Sequence, residues 1–369
     1  MKSLEDGAWA GKRVLVRIDA DVPLGDSKPI EVRDDYRLQE LLPTLFYLLN
    51  HRAQIILCGH LGRPAGQIVP SLSLKPVFLH LSALVNQKIT FVPDPFSVAG
   101  AKAIKQLDDR EIIGLENIRF FKGEGDNSRT FARKLAGLAD VFVNEAFGSG
   151  HESASTVAIT EFLPSFAGLQ FEREVEVLSS LTKHPARPFI AIIGGAKATD
   201  KLPVISGLLE TVDRVLVGGR VANNFLASQS VDIKDSVVEP AMVTLAGQLF
   251  KQAKGKIILP TDFVWHEQQI YDLGQQTTAT MLDYIRTAKT VLWSGVPGKV
   301  ELPAFAKASQ AIARAIAELP ATTIVGGGDT VGFIQGLGLT EKYSFVSTGG
   351  SAMLELLSGH TLPSIKALD

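Results

Sequence analysis

Short apolar runs, rich in β-branched residues, alternate along the chain with longer segments in which apolar residues recur at helical spacing. This alternation is typical of βα units and predicts an α/β fold built on parallel sheets. The strands predicted in the first half are residues 13–18, 54–57, 111–115 and 141–144. Those predicted in the second half are residues 189–193, 214–217, 256–259, 290–293, 322–325 and 344–347.

The length of 369 residues indicates two domains, because single hydrophobic cores seldom grow past roughly 250–300 residues. A charged amphipathic segment begins at Phe171 and stops at Pro185, which predicts a helix between the two halves. We therefore expect a first domain over 1–165, an interdomain helix over 166–185 and a second domain over 186–355.

Composition excludes several classes of protein. Hydrophobic residues make up 46% of the chain and charged residues 21%, so disorder is excluded as its main state. The 37 basic and 39 acidic residues give a net charge of −2, which argues against nucleic acid as a partner. Even the longest segments without a charged residue, such as 76–87, are too short to span a membrane. The N-terminus is acidic where a signal peptide would be basic, and the single cysteine, Cys58, cannot form an internal disulfide. The chain is therefore expected in the cytoplasm.

The residues that follow the predicted strands differ between the two halves. In the first half they are polar or cationic, whereas four of the six strands in the second half run into paired or tripled glycines. Ligands of open α/β sheets bind beyond the carboxyl ends of the strands, so the chain is predicted to have two chemically different sites.

The glycine turns of the second half favour a nucleotide phosphate as ligand, because glycine lets the backbone approach and the next helix offers free amides. Lys197 and Lys201 follow one such turn four residues apart, which places them on one face of the predicted helix. Asp329 and Thr330 follow another turn and add oxygen ligands suited to Mg²⁺. The lysines could instead form a solvated cationic face, and Asp329 could cap a helix. Neither a dinucleotide fingerprint nor a Walker loop is present in the sequence.

Eight segments, in order along the chain, resemble motifs of one known family. The first four are 14–23, 59–64, 115–120 and 143–148. The others are 154–157, 194–201, 326–330, and 347–350 with 354–357. In these segments the chain resembles phosphoglycerate kinase over nearly its whole length. The resemblance implies two doubly wound parallel-sheet domains, joined by an interdomain helix and hinge, with residues 356–369 folding back on the first.

The resemblance also implies an activity, the transfer of a phosphoryl group from 1,3-bisphosphoglycerate to MgADP to give 3-phosphoglycerate and MgATP. The partners implied are small molecules, with Mg²⁺ as cofactor and ATP or ADP as substrate, and we expect a monomer. Implied catalytic residues are Arg37, Lys197, Gly327 and Gly350. Implied contacts to the acid are Asp19, Asp21, Arg37, His60, Arg63 and Arg119. Implied contacts to the nucleotide are Gly195, Lys197, Lys201, Gly218, Gly219, Glu301, Gly328, Asp329 and Thr330, of which Asp329 would also hold Mg²⁺.

The acid site departs from the family pattern. Asp21 stands where the family has asparagine, and the segment His151-Glu152-Ser153 is one residue shorter and lacks an arginine that contacts phosphate in the family. Added negative charge and lost positive charge both predict weak binding of 3-phosphoglycerate. Two alternatives follow: a non-catalytic relative that keeps nucleotide binding, and a kinase for a different small carboxylate.

Overall fold

The computed structural model describes residues 1–25 and 30–369, and its chain divides into two compact units. The first unit comprises Met1–Val177 and Thr361–Asp369, and the second comprises Leu178–His360. Each unit contains one six-stranded parallel sheet with helices between successive strands. The predicted α/β class, with two doubly wound parallel sheets, is confirmed. In the described residues, no helix has the length and apolar character needed to cross a membrane.

The first unit is built on a sheet with strand order β3-β4-β2-β1-β5-β6. Its strands are β1 (Arg13–Arg17), β2 (Gln54–Cys58), β3 (Ile89–Val92), β4 (Ile112–Leu115), β5 (Val141–Asn144) and β6 (Ser165–Ala167). Its first helices are α1 (Tyr36–Asn50), α2 (Lys75–Val85), α3 (Val98–Lys105), α4 (Lys122–Gly125) and α5 (Arg129–Ala136). Helix α6 (Leu169–Lys183) follows β6, and the boundary between the two units falls within it.

Side chains of the central strands in this sheet alternate between two separate hydrophobic cores. Val14 and Val16 of β1 belong to one core, whereas Leu15 belongs to the other. All three side chains are fully buried. Strands covered on both faces need continuous apolar sequence, which is why these segments are rich in valine, leucine and isoleucine.

The second unit has the sheet order β14-β13-β12-β7-β8-β9 and a separate antiparallel hairpin, β10-β11. Its strands are β7 (Phe189–Ile193), β8 (Arg214–Val217), β9 (Ile257–Ile258), β10 (Phe263–His266), β11 (Gln269–Leu273), β12 (Thr290–Ser294), β13 (Thr322–Gly326) and β14 (Phe345–Ser347). Its helices are α7 (Ala198–Leu208), α8 (Gly219–Ser228), α9 (Pro240–Gln252), α10 (Gln275–Thr287), α11 (Lys307–Ala317), α12 (Gly328–Gly336) and α13 (Gly350–Leu357).

All ten strands predicted from the sequence occur within a residue or two of the predicted bounds, but the described part of the chain contains four further strands that were not predicted. Strands β3 and β6 lie at the two edges of the first sheet, and three of the four β3 residues are not buried. The β10-β11 hairpin is also largely outside the core. Each of the four unpredicted strands has three to five residues and buries at most two of them, so none has the long buried run of the central strands.

The C-terminal residues Thr361–Asp369 belong to the first unit. The last helix of the chain, α14 (Pro363–Lys366), begins where the Ser364 amide donates to the Gly150 carbonyl at 3.1 Å. The terminal amino group of Met1 contacts the Asp369 side chain at 3.3 Å.

Helix α6 is anchored to the first sheet by the buried carboxyl of Glu145, which directly follows β5. One oxygen accepts hydrogen bonds from the Thr44 hydroxyl at 2.5 Å and the Gln170 amide at 3.1 Å. The other accepts from the Phe171 amide at 3.1 Å. A Cβ at Gly168 would lie only 2.0 Å from this carboxyl, so a larger residue could not start the helix here. Glu145 therefore satisfies amides of the first helical turn that would otherwise be unpaired.

The burial of Glu145 predicts a pH-dependent stability. Burial raises the pKa of Glu145 to about 8, against the opposing effect of its hydrogen bonds from Thr44, Phe171 and Gln170. Because the folded state binds this proton more tightly than the unfolded chain, the contribution to stability is complete below about pH 4.5. It is lost as pH rises towards 8. We expect the unfolding free energy of the wild type to fall relative to that of Glu145→Gln between pH 5 and pH 8.

Urea denaturation of both proteins at pH 5, 6.5 and 8 measures this difference. Glu176→Gln, on an exposed position of α6, controls for the loss of one carboxyl group. A difference between the wild type and Glu145→Gln that does not change with pH would contradict the prediction.

Candidate active site

The carboxyl edge of the first sheet gathers the side chains predicted to bind the acid. They follow β1, β2 and β4 or project from the start of α1: Asp19, Asp21, Arg37, His60, Arg63 and Arg119. The chain continues from β1 to β2 on one side of β1 and later places β5 on its other side. The topological switch point of the sheet therefore lies between β1 and β5. A ligand site is expected at such a point.

A buried arginine beneath this edge determines the tautomer and the protonation state of His60. Arg17, the last residue of β1, is 1% exposed, and its Nη2 lies 2.7 Å from Nδ1 of His60. Because a guanidinium group can only donate, Nδ1 of His60 accepts and its proton is on Nε2. Burial, together with the charges of Arg17 and Arg119, lowers the pKa of His60 well below its usual value. His60 is therefore a neutral donor that faces Asp21, with Nε2 3.8 Å from the carboxylate.

Arg37 is tied to the turn that follows β1. Its Nη1 donates to the main-chain carbonyl of Asp21 at 2.7 Å and to the Asp19 carboxylate at 3.3 Å. The Asp21 carboxylate in turn accepts from the Gly62 amide at 3.0 Å. These contacts connect the turns after β1 and β2, and they give the charge of Asp21 a hydrogen-bond donor.

Arg63 and Arg119 line a cavity of about 500 Å³, together with Lys122 and His151. Arg119 donates to the Gly62 carbonyl at 2.8 Å, and its Nη2 lies 3.2 Å from Nε2 of His151. Burial and the charge of Arg119 lower the pKa of His151, so its ring nitrogen accepts at neutral pH. Three cationic side chains and one acidic side chain, Asp126, line the cavity, so positive charge predominates, as an anion site requires.

Three basic residues of this site were not among those predicted from the sequence: Arg17, Lys122 and His151. Arg17 has a sequence signal, an arginine inside an otherwise apolar strand. Lys122 has none, because it resembles any surface lysine until the fold places it beside the cavity. Glu152, whose negative charge raised doubt about acid binding, is exposed and is absent from the residues that line this cavity.

In the second unit, β8 lies on one side of β7 and β12 on the other, so the topological switch point lies between β7 and β12. A cavity of about 250 Å³ opens beyond the ends of these strands. Four predicted nucleotide residues line it: Gly195, Gly219, Glu301 and Asp329. Gly219 has φ +60°, and a Cβ there would lie 2.8 Å from the main chain of Gly195. The glycines at this edge therefore allow the turns to pack against each other as well as against a ligand.

The two predicted lysines differ in their surroundings. Lys197 is exposed and precedes α7 with extended backbone angles, so it does not share a helix face with Lys201 as the spacing predicted. Lys201 lies in the first turn of α7, where Nζ donates to the Ser294 hydroxyl at 3.1 Å. Burial lowers the pKa of Lys201, while the charges of Asp200 and Asp329 oppose this effect.

The remaining predicted residues lie in turns around this cavity. Thr330 uses its hydroxyl to accept from the Gly295 amide at 2.7 Å, which joins the turn after β12 to α12. A Cβ at Gly350 would lie 2.5 Å from Cα of Gly327, so the turns before α12 and α13 touch. Gly218 packs on Pro297, and Gly328 is exposed at the start of α12.

The unpredicted hairpin contributes an aromatic wall to the same cavity. Tyr271 of β11 lines it, and Lys299 lies over the Tyr271 ring at 4.4 Å from the centroid. Val237 and Ile270 add apolar surface. This aromatic and aliphatic wall can pack against a flat ring system, and the nearby Glu301 can accept hydrogen bonds from hydroxyl groups. The cavity is therefore suited to a nucleoside.

Comparison with known proteins agrees with this geometry. The family model described as phosphoglycerate kinase matches residues 4–360. The chain belongs to the phosphoglycerate kinase family. It is 41% identical to the phosphoglycerate kinase of Roseiflexus sp. (strain RS-1) and 40% identical to that of Herpetosiphon aurantiacus. Each match covers 100% of this chain and 99% of the relative.

Solved phosphoglycerate kinase structures have the same fold. The structure from Pyrococcus horikoshii OT3 matches with a TM-score of 0.90 at 29% identity, covering 100% of this chain and 98% of that one. The structure from Coxiella burnetii matches with a TM-score of 0.83 at 33% identity, covering 99% and 98%. The family resemblance drawn from eight motifs is confirmed, and phosphoglycerate kinase is favoured over a non-catalytic relative.

Proposed function

We propose that this chain transfers a phosphoryl group between 1,3-bisphosphoglycerate and MgADP, with the acid bound by the first unit and the nucleotide by the second. The observation that carries this proposal is the contrast between the two cavities. The first contains Arg63, Arg119 and Lys122, and the second combines glycine turns with Glu301 and Asp329. A phosphorylated acid needs fixed cations, whereas a nucleotide needs close backbone approach and a ribose acceptor.

Arg37 and Lys197 are proposed to stabilise the transferring phosphoryl group. Its negative charge is spread over the moving oxygens, so positioned cations and exclusion of water can lower the barrier without a covalent intermediate. Lys201 would neutralise the nucleotide phosphates. Its ammonium group is already held towards the strand edge by Ser294.

The other predicted residues have supporting roles in this proposal. His60, as a neutral donor, would bind the acid together with Arg63 and Arg119, while Asp19 and Asp21 orient Arg37 and the turn at Gly62. Glu301 would accept from the ribose hydroxyls. The glycines proposed to surround the adenosine and the phosphates are Gly195, Gly218, Gly219, Gly327, Gly328 and Gly350, with Thr330 completing the phosphate site.

Magnesium binding is proposed for Asp329. This carboxylate is exposed at the start of α12 and lines the second cavity. Within the described ranges, no cluster of three or more His, Cys, Asp or Glu residues could hold a metal ion. That fits Mg²⁺, which commonly uses one or two carboxylates and completes its octahedron with water and substrate phosphates. We also propose that the protein acts as a cytoplasmic monomer.

A coupled assay of phosphoryl transfer from ATP to 3-phosphoglycerate tests the activity and the two cationic roles. If Arg37 and Lys197 stabilise charge that develops during transfer, Arg37→Ala and Lys197→Ala should each lower kcat by about 100-fold or more. The KM values should change much less. Lys251→Ala, an exposed lysine on α9, is the control and should retain wild-type rates. Near-normal kcat in both variants would contradict the proposed roles.

Lys122 is proposed to replace the charge of the missing arginine after His151. The loop that contains Arg63 is bonded to the Lys122 segment, since the Gly66 amide donates to the Arg119 carbonyl at 3.0 Å. A Cβ at Gly66 would lie 2.9 Å from Cα of Lys122, so the two segments are in close contact. Lys122 therefore lies where its ammonium group can reach a phosphate bound by Arg63 and Arg119.

If Lys122 contacts the substrate phosphate, Lys122→Ala should raise the KM for 3-phosphoglycerate about tenfold, equivalent to about 1.4 kcal/mol. The KM for ATP and kcat should stay within about twofold of wild type. Lys134→Ala, an exposed lysine on α5 outside the cavity, is the matched control. An unchanged KM for the acid in Lys122→Ala would remove this residue from the site.

Hinge closure is also proposed, because the acyl phosphate must be kept from water while it reacts. Small-angle scattering should give a smaller radius of gyration with both 3-phosphoglycerate and MgATP bound than with either ligand alone. An equal radius of gyration for the free protein, for each single-ligand complex and for the complex with both ligands would argue against closure.

A further inference from the structure

The start of helix α7, next to Lys197, is held by the carboxylate of Glu239. One oxygen accepts a hydrogen bond from the Ala198 amide. The other accepts from the Thr199 amide at 3.0 Å and from the Thr199 hydroxyl. Three donors at the beginning of this helix thus point to a single carboxylate that comes from a distant part of the chain.

Glu239 is itself held in place from its main chain. Its amide donates to Oδ1 of Asn224 at 2.9 Å, and Nδ2 of Asn224 donates to the Arg220 carbonyl at 3.0 Å. Asn224 is 1% exposed and lies in α8. Glu239 also immediately precedes Pro240, the first residue of α9. One residue therefore connects the beginning of α7 to α8 and α9.

This arrangement limits which groups at the turn of Lys197 can bind a phosphoryl group. Free amides at the start of a helix are an anion site, but here the Ala198 and Thr199 amides already have an anionic partner. A transferring phosphoryl group would therefore meet the Lys197 side chain rather than these amides. The position of Lys197 depends on the residue that follows it, since Lys197 lies outside the helix in extended conformation.

We propose that Glu239 is a positioning residue for phosphoryl transfer, which fixes the start of α7 and thereby the location of the Lys197 ammonium group. This inference rests on the proposed function. The hydrogen bond from Thr199, and more weakly those from the two amides and the charge of Lys197, lower the pKa of Glu239. The carboxylate is therefore ionised throughout the neutral range, where its three bonds are charge-assisted.

The test compares Glu239→Ala and Glu239→Gln with a matched carboxylate elsewhere in the second unit. Asp262 makes the same type of contact at the start of α10, where it accepts from the amides of Gln276 and Thr277 and from the Thr277 hydroxyl. Asp262→Ala thus removes an equivalent helix anchor without touching α7. Each variant is assayed for kcat, for KM with ATP and for its melting temperature.

For Glu239→Ala we expect kcat to fall at least tenfold and the KM for ATP to change less than threefold, because Lys197 acts on the transferring group. Glu239→Gln keeps one accepting oxygen and should lie between this variant and wild type. Asp262→Ala should keep kcat within twofold even where it lowers the melting temperature as much.

Two results would overturn the proposal: a kcat within twofold of wild type in Glu239→Ala, or an equal loss of kcat in Asp262→Ala. If Glu239→Ala does not fold, Glu239→Gln decides, and an unchanged kcat in that variant is evidence against the role. Failure of the proposed function would look different, since the wild type itself would then be inactive with 3-phosphoglycerate and ATP.

Discussion

The six-stranded sheet of each unit is wholly parallel, and its central strands are buried on both faces, so the interior of the sheet cannot hold a ligand. Polar groups can be presented only by the turns at the strand ends, and the carboxyl ends of parallel strands all meet at one edge. The two units use this same edge differently. The first fills it with arginine and histidine side chains, whereas the second packs glycine turns together and leaves room beside Tyr271 and Glu301.

The cationic site depends on a buried charge that has neutral partners. Arg17 donates to the Ser155 hydroxyl at 2.9 Å, to the Ile18 carbonyl and to His60. The Ser155 hydroxyl donates in turn to the carboxylate of Glu124, which links this carboxylate to the guanidinium through one hydroxyl group. The positive charge of Arg17 then acts on the edge above, where it helps to keep His60 unprotonated. Arginines and Lys122 supply the positive charge around this site, and His60 and His151 supply neutral hydrogen-bonding groups.

The fold, two residues of the first cavity and four of the second could be predicted from the sequence because these features depend on short-range patterns. Apolar strands followed by Asp19, His60 or Gly195 are visible in the sequence without knowledge of contacts. The pairing of Lys197 and Lys201 on one helix face was wrong, because α7 begins one residue after Lys197. Tyr271 could not be predicted, since its hairpin buries too little surface to leave an apolar pattern. Motif order, rather than any single motif, identified the family.

Carboxylates in this chain repeatedly hold the beginnings of helices, and this use bears on the acid site. Glu145, Glu239 and Asp262 each accept from two main-chain amides and a threonine hydroxyl. The pKa values of Glu239 and Asp262 are lowered, so these two carboxylates are charged and their local donors compensate the charge, whereas burial raises the pKa of Glu145 to about 8. Asp21 follows the same rule in part, because its carboxylate accepts from the Gly62 amide. An acidic residue whose oxygens are engaged in this way repels a nearby phosphate less than a formal charge count implies. The substitution of aspartate for the family's asparagine is therefore compatible with the proposed acid site, in which Arg37, Arg63, Arg119 and Lys122 are the proposed cations.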